Sequence, residues 1–450
     1  MEDTIAAIST SLGVGAISII RISGPNSIEI VNKIVKIKNL DKVNSHTINY
    51  NFIIDGDKTI DEVLISIMKA PKTFTCEDVV EINAHGGIST TNYILKLLLK
   101  NGCRLAEPGE FTKRAFLNGR IDLQEAEGIM NLINAKTDKA HNLAINQLSG
   151  KVSNLIKELR NDIIQILANI EVNIDYPEYE DIIDLKTKDI KPKMELLLNK
   201  IEKILKDSKN GLLINEGIKT SIIGKPNVGK SSLLNRLLEE EKAIVTDIEG
   251  TTRDIVEGKI SLDGIILNII DTAGIRDTEN LVESIGVKKS LELIDNSDLV
   301  LFVLNNNEEL SVKEKELLEK IKEKNYIVVI NKSDLDKKIK IDNDISNIVY
   351  ISAKEDIGIE ELKNKIKEIY NLEKIETEDM TYLSNSRSIA LLEQSYDLLK
   401  EAMKNIDMDI PVDMVEIDIK EAWNKLGEIT GETYQDELIN QLFSQFCLGK

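Results

Sequence analysis

The sequence predicts a mostly parallel α/β module with helices on both faces, inserted in a helical domain and preceded by a small α+β domain. Three observations predict this. Strand-like and helix-like segments alternate from about Ile214 to Tyr370, and the strand-like ones are apolar almost throughout, as expected of a sheet covered on both faces. The flanking stretches 115–210 and 385–450 carry apolar residues at three- and four-residue spacing, with few glycines or prolines in the first. Residues 1–118 instead mix short β-branched runs with turn signals.

In the first domain, the run 17–22 stops at Ser23-Gly24-Pro25-Asn26, and helical spacing follows to Val35. Further strands are expected over 47–54, 62–68 and 78–84, the last ending in His85-Gly86-Gly87 ahead of a helical run over 90–100; a mixed or antiparallel sheet is predicted. In the first helical part, Val152, Leu155, Ile156, Leu159, Ile163 and Ile166 form one apolar face, and the acidic break 175–181 predicts a loop or bend. The central module is expected to place strands over 218–223, 258–262, 265–270, 299–305, 326–331 and 348–352, with helices over 232–238, 287–294, 313–323 and 359–370. The domain boundaries are therefore 1–118, 119–213, 214–375 and 376–450, the second and fourth segments forming one helical domain.

A chain of 450 residues has room for about three domains, each with its own core. Lys and Arg number 57 against 77 Asp and Glu, a formal net charge of -20, so binding of RNA or an anionic membrane would need a local basic patch or a partner's charge. Cys76, Cys103 and Cys447 form no C-x-x-C pair, which suits a reducing compartment; with only His46, His85 and His141 beside them, a zinc site is not expected. The Met1-Glu2-Asp3-Thr4 start has no basic region followed by an apolar core, and no stretch reaches membrane-spanning length, so a cytoplasmic protein is expected.

Five motifs lie in register within the central module. Gly224-Lys225-Pro226-Asn227-Val228-Gly229-Lys230-Ser231 fits G-x-x-x-x-G-K-[ST]: backbone N–H groups turn around phosphates, Lys230 adds a cation at the β/γ bridge and Ser231 can ligate Mg²⁺. Thr252 in Gly250-Thr251-Thr252-Arg253-Asp254 can be a second Mg²⁺ ligand on a switch loop. Asp271-Thr272-Ala273-Gly274 supplies an acid for the Mg²⁺ hydration shell and an N–H for the γ-phosphate. Asp334 in Asn331-Lys332-Ser333-Asp334 can accept the paired N1–H and 2-amino donors of guanine, which adenine lacks, and Ser352-Ala353-Lys354 offers N–H to guanine O6. The expected nucleotide contacts are thus Asn227, Val228, Gly229, Lys230, Ser231 and Ser232 with Thr246, Asp247, Ile248, Glu249, Gly250, Thr251 and Thr252. Asp271, Thr272, Ala273 and Gly274 complete the phosphate side, and Asn331, Lys332, Asp334, Ser352, Ala353 and Lys354 the guanine side.

Ile275 follows Gly274 where many GTPases carry a water-orienting Gln, and isoleucine cannot hydrogen-bond water. An arginine finger contributes roughly 10³–10⁵ in rate, about 4–7 kcal/mol of barrier, and comparable help is needed here. One source is a monovalent cation held by the Asn227 side-chain oxygen and carbonyls of the loop 246–251, with Asp277, Glu279 or Glu283 holding the water. Another is a separate activating protein.

With Asp3-Thr4-Ile5-Ala6-Ala7, Ile20-Arg21-Ile22-Ser23-Gly24-Pro25, the stretch Ala106 to Gly119 and Phe446-Cys447-Leu448-Gly449-Lys450 added, the chain closely resembles the bacterial tRNA modification GTPase family over essentially its whole length. The resemblance implies a potassium-activated GTPase, a homodimer that works on tRNA with a flavin-containing subunit, in a heterotetramer. The pair would install a (carboxymethyl)aminomethyl group on C5 of the wobble uridine. It implies Asn227, Thr246, Ile248 and Thr251 as K⁺ ligands, Ser231 and Thr252 as Mg²⁺ ligands, and Glu283 as the water-orienting acid beside Lys230 in catalysis. It also implies that the amino-terminal domain dimerises and binds 5-formyl-tetrahydrofolate or a related folate through Arg21, Glu81, Arg120 and Lys450, and that Cys447 belongs to an ending linked to modification. A carboxylate suits the donor edge of a pterin, and basic groups suit the glutamate tail. Three departures stand out: the stretch 11–15 lacks an arginine often found there, Cys76 occupies a common Gly position, and Asn83-Ala84 replaces a common His-Cys pair.

Two competing readings make different demands. A ribosome-assembly GTPase acting as a binding switch would share the central motifs but would be expected to carry a basic RNA-binding appendage. A GTP-regulated scaffold would leave Arg21, Glu81 and Lys450 without a ligand.

Overall fold

The computed structural model describes residues 3–175, 180–240, 258–270, 291–341, 345–372, 381–408, 410–433 and 436–449. The elements of the amino-terminal region are β1 (Ile5–Ile8), β2 (Ile17–Ser23), α1 (Ser27–Lys33), β3 (Thr47–Asp55), β4 (Lys58–Met68), β5 (Val79–His85), α2 (Ile88–Lys100), β6 (Arg104–Leu105) and α3 (Glu110–Leu117). Helices α4 (Leu123–Asn134), α5 (Asp138–Leu148), α6 (Lys151–Asp175) and α7 (Glu180–Glu216) follow. The α/β module contributes β7 (Ile218–Ile223), α8 (Lys230–Glu240), β8 (Gly258–Leu262), β9 (Ile265–Ile270), β10 (Leu299–Asn305), α9 (Val312–Ile321), β11 (Asn325–Asn331), β12 (Ile348–Tyr350) and α10 (Ile359–Tyr370). Helices α11 (Ser386–Asp407), α12 (Val412–Thr430) and α13 (Asp436–Ser444) complete the described elements. They fall into two compact units, Met1–Met130 with Leu148–Pro177 and Ile410–Lys450, and Asn131–Gln147 with Glu178–Asp409.

In the first unit the strands form one six-stranded sheet of order β3-β4-β5-β2-β1-β6, antiparallel except for the β1/β6 pair. Period-2 alternation sorts its faces. Ile20 and Ile22 of β2 join Ile65, Ile67, Val80 and Ile82 in a core that also takes in Ile30 of α1 and Ile94 of α2. Arg21 and Glu81 alternate out of that core and sit directly opposite each other in the β2/β5 register. Sequence reading left β1 and β6 unassigned; both are short, and every residue of β1 is buried, so neither shows an alternating pattern. Strand β4 starts four residues before the expected 62 because Asp55 pairs with Lys58 across a tight turn in which Gly56 holds φ 59. Of the expected apolar face of α6, Val152, Ile156, Leu159, Ile163 and Ile166 are buried and Leu155 is half-buried, and the helix packs on α12.

In the second unit the sheet order is β12-β11-β10-β7-β9-β8, parallel except for the β8/β9 hairpin. Leu301 and Val303 face one core while Phe302 and Leu304 of the same strand face another, so β10 is buried on both sides. Helices α7 and α11 pack together in this unit. Of the helix expected over 287–294, residues 291–294 are helical and the rest lie outside the described residues, as does most of the bend expected over 175–181. No helix among the described residues is long and apolar enough to cross a membrane.

Candidate functional site

Strand β7 runs into the phosphate loop and the loop into α8, at the carboxyl ends of the parallel strands, where ligands bind in open α/β sheets. Two glycines are sterically required. A Cβ at Gly224 (φ 149) would sit 2.3 Å from the Val303 carbonyl oxygen, and one at Gly229 (φ 100) would sit 2.1 Å from Asn331 Nδ2. Asn227 adopts φ 63, a left-handed conformation that Asn tolerates better than most residues, and its side chain is exposed. Lys230 Nζ donates to the carbonyls of Gly224 at 2.8 Å and Lys225 at 2.7 Å, and burial pushes its pKa down. Phosphate oxygens would replace these neutral acceptors with charged ones, which also favours the ammonium form.

The guanine-side loops are tied to the phosphate loop through Asn331. Its Nδ2 donates to the Val228 carbonyl at 2.8 Å and its Oδ1 accepts from the Ala353 N–H at 3.1 Å. Asp334 Oδ1 accepts from Ser352 Oγ at 2.6 Å, and this bond holds the Asp334 carboxyl below its ordinary range, ready to accept two donors. The structure therefore brings Asn227, Val228, Gly229, Lys230, Ser231 and Ser232 together with the 331–334 and 352–354 loops. Thr246, Asp247, Ile248, Glu249, Gly250, Thr251, Thr252, Asp271, Thr272, Ala273, Gly274 and Glu283 lie outside the described residues.

Sequence reasoning missed Glu314. Its carboxylate caps α9 through a capping box with Ser311 and pairs with Lys225 Nζ at 2.7 Å, tying the phosphate loop to that helix. The spacing Ser311-x-x-Glu314 is a readable capping signature, whereas the partner Lys225 leaves no local signal.

A second cluster lies in the first unit. Arg21 Nε donates to Glu81 Oε1 at 2.8 Å, and another guanidinium nitrogen of Arg21 donates to the Gly449 carbonyl at 3.3 Å. The carboxyl-terminal stretch is further held by Ser9 Oγ donating to the Gly449 carbonyl at 3.1 Å and the Gly109 N–H donating to the Cys447 carbonyl at 3.2 Å. Arg120 donates to the Phe74 carbonyl at 3.1 Å, with its guanidinium 5.0 Å from the Phe74 ring centroid. Of the four residues implied for folate, Arg21 and Arg120 thus stand against Phe74 and Glu81 is held by Arg21, while Lys450 lies outside the described residues. Cys76 holds φ 60, which is why a glycine suits that position. Cys447 is exposed.

A phosphate loop cross-tied to a guanine-edge loop at the carboxyl ends of a mostly parallel sheet defines a P-loop GTPase. A model of the MnmE helical domain matches residues 123–447, and a model described as GTP-binding protein TrmE N-terminus matches residues 4–120. The tRNA modification GTPase MnmE of Bacillus cytotoxicus is 52% identical over 455 residues, covering 100% of this chain and 99% of that protein. Its namesake in Lactococcus lactis subsp. cremoris is 53% identical over 448 residues, covering 100% and 98%. The chain belongs to the MnmE (TrmE) family of tRNA modification GTPases. Among solved structures, the G domain of the T. maritima FeoB iron transporter is 27% identical, covering 34% of this chain and 98% of its own, with a TM-score of 0.24.

Proposed function

We propose that this enzyme hydrolyses GTP in a potassium-activated cycle as a cytoplasmic homodimer. With a flavin-dependent partner subunit, the cycle drives addition of a (carboxymethyl)aminomethyl group to C5 of the wobble uridine of tRNA. Kinship with the tRNA modification GTPases supports the class, and Asn227 is the observation that carries the potassium part. It places a neutral amide oxygen, exposed and in a left-handed turn, within the phosphate loop itself. Such a donor suits a monovalent cation, which needs no anionic ligand, and carbonyls of Thr246, Ile248 and Thr251 would complete the set. Ser231 and Thr252 would hold Mg²⁺, which takes hard oxygen ligands and keeps several waters. A cation at the phosphates supplies positive charge where negative charge develops, the role an arginine finger fills elsewhere. Glu283 would orient the attacking water that Ile275 cannot bind. In the first unit, the Arg21–Glu81 pair can meet a pterin's donor edge through the carboxylate, and Arg120 and Lys450 the carboxylates of the glutamate tail.

GTP turnover in KCl against NaCl tests the cation. Turnover should be markedly faster in KCl for the wild type, Asn227→Ala should lose the difference, and Glu283→Ala should be slower by roughly 10²-fold, the low end for loss of a proton-handling group. Equal wild-type rates in the two salts would reject potassium activation. The modification half is tested by mass spectrometry of tRNA nucleosides after incubation with the flavin subunit, GTP and a folate. Unchanged wobble uridine under those conditions would reject it.

A further inference from the structure

The first unit holds a cavity of about 460 Å³ on the Arg120 side of Phe74, within the range of about 300–1,000 Å³ usual for small-molecule sites. His46, Lys72, Phe74, Cys76, Asn118 and Arg120 line it, and the lining residues that carry a permanent charge, Lys72 and Arg120, are both basic. Two guanidiniums approach the Phe74 ring, Arg21 at 5.8 Å and Arg120 at 5.0 Å from its centroid. The wall is fixed: Asn118 Nδ2 donates to the Thr75 carbonyl at 2.6 Å, and Thr73 Oγ1 donates to the Glu77 carbonyl at 2.6 Å. Two lining residues other than glycine hold left-handed backbone, His46 at φ 62 and Cys76 at φ 60.

We infer that this cavity receives the γ-linked glutamate tail of the folate and selects polyglutamylated forms; the inference rests on the folate reading of Arg21, Glu81 and Arg120. A pterin on Glu81 has its aromatic linker near Phe74 and sends its tail toward Arg120. The first tail carboxylate meets Arg120, and each added glutamate carries a further carboxylate into the cavity, where Lys72 supplies the next cation and Asn118 an amide donor. Lys72 and the cavity floor do no work for a monoglutamate, so tail length is the variable that isolates them.

The experiment is equilibrium binding of mono-, tri- and pentaglutamyl 5-formyl-tetrahydrofolate to the full chain, for wild type, Lys72→Ala and Lys72→Arg. The triglutamyl form should bind up to roughly five-fold tighter than the monoglutamyl form, the gain one exposed ion pair to Lys72 supplies, and the gain should shrink in high salt. Lys72→Ala should lose the gain and keep monoglutamate affinity, and Lys72→Arg should retain both. Alkylation of Cys76, followed on its peptide by mass spectrometry, should be slowed more by the longer tail. Monoglutamate binding with no effect of tail length overturns the tail site and leaves the folate reading standing. No binding of any form overturns both. A tail effect that survives Lys72→Ala and leaves Cys76 unprotected overturns the placement in this cavity.

Discussion

At Gly229 the space for a side chain is already taken by the Asn331 amide, which the added methyl of Gly229→Ala would displace. Asn331 would lose its bonds to the Val228 carbonyl and the Ala353 N–H, and an alanine would be strained at φ 100. Two neutral hydrogen bonds are worth about 1 kcal/mol each and the strain at least as much, so GDP affinity should fall by roughly 100-fold in a fluorescent-nucleotide titration. A loss under three-fold would mean Asn331 does not organise the site. Asp334 tests the base. In Asp334→Asn the amide NH₂ faces the 2-amino group of guanine, donor against donor, whereas the 2-oxo group of xanthine accepts it. GTP should weaken by roughly 10- to 100-fold, as expected for losing charge-assisted bonds, while xanthosine triphosphate should bind the variant better than the wild type. The residue types of this site were legible because phosphate and guanine recognition tie them to fixed spacings. Glu81 was not: alone it is a charge on a strand, and its meaning comes from standing opposite Arg21 in the sheet.

Among the elements, α3 shows what a helix can tie together. Arg114 is fully buried on it and donates to Asp3 at 2.8 Å, to Glu77 at 3.1 Å and to Glu110 at 3.0 Å, so one guanidinium joins the chain start, the loop before β5 and the first turn of α3. The Glu110–Arg114 spacing is visible in the sequence; Asp3 and Glu77 are distant along the chain and left no local signal. Burial alone would raise the Glu110 carboxyl, but hydrogen bonds from Arg104, the Glu107 N–H and Arg114 outweigh it, and the pKa falls below the ordinary 4.5. Asp3 is lowered in the same way, with Arg104 and Arg114 outweighing burial. A carboxyl with a depressed folded pKa stabilises fully above its unfolded value and loses that contribution as pH falls through the folded one. Arg114→Met should therefore cost about 3–5 kcal/mol near neutral pH, the usual loss on breaking a buried pair, and the gap to wild type should narrow below about pH 4.5. Urea melts of both proteins across pH 3–7 would check this, and a pH-independent gap would show the cost to be one of packing.

On the scale of the whole molecule, the sequence revealed what is locally periodic: aliphatic strands of the α/β module, helical faces such as that of α6, and motifs in order. It did not reveal that the chain end returns to the first sheet, where the Gly449 carbonyl meets Ser9 and Arg21 more than 400 positions away. Nor did it reveal the division into two units, the first holding the Arg21–Glu81 cluster and the second the nucleotide site. That division has a thermodynamic consequence, because a ligand stabilises only the cooperative unit whose native form binds it. At 100 times its Kd the stabilisation is about 2.7 kcal/mol. GDP should therefore slow amide hydrogen exchange in β7, β10 and β11 and leave β2 and β5 near their unliganded rates, while 5-formyl-tetrahydrofolate should do the reverse. Exchange is the better readout than a single melting temperature, since it reports each unit through its own strands. If GDP protects β2 and β5 as strongly as β7, the two units open as one, and nucleotide binding is coupled to the sheet of the first unit through a shared unfolding equilibrium.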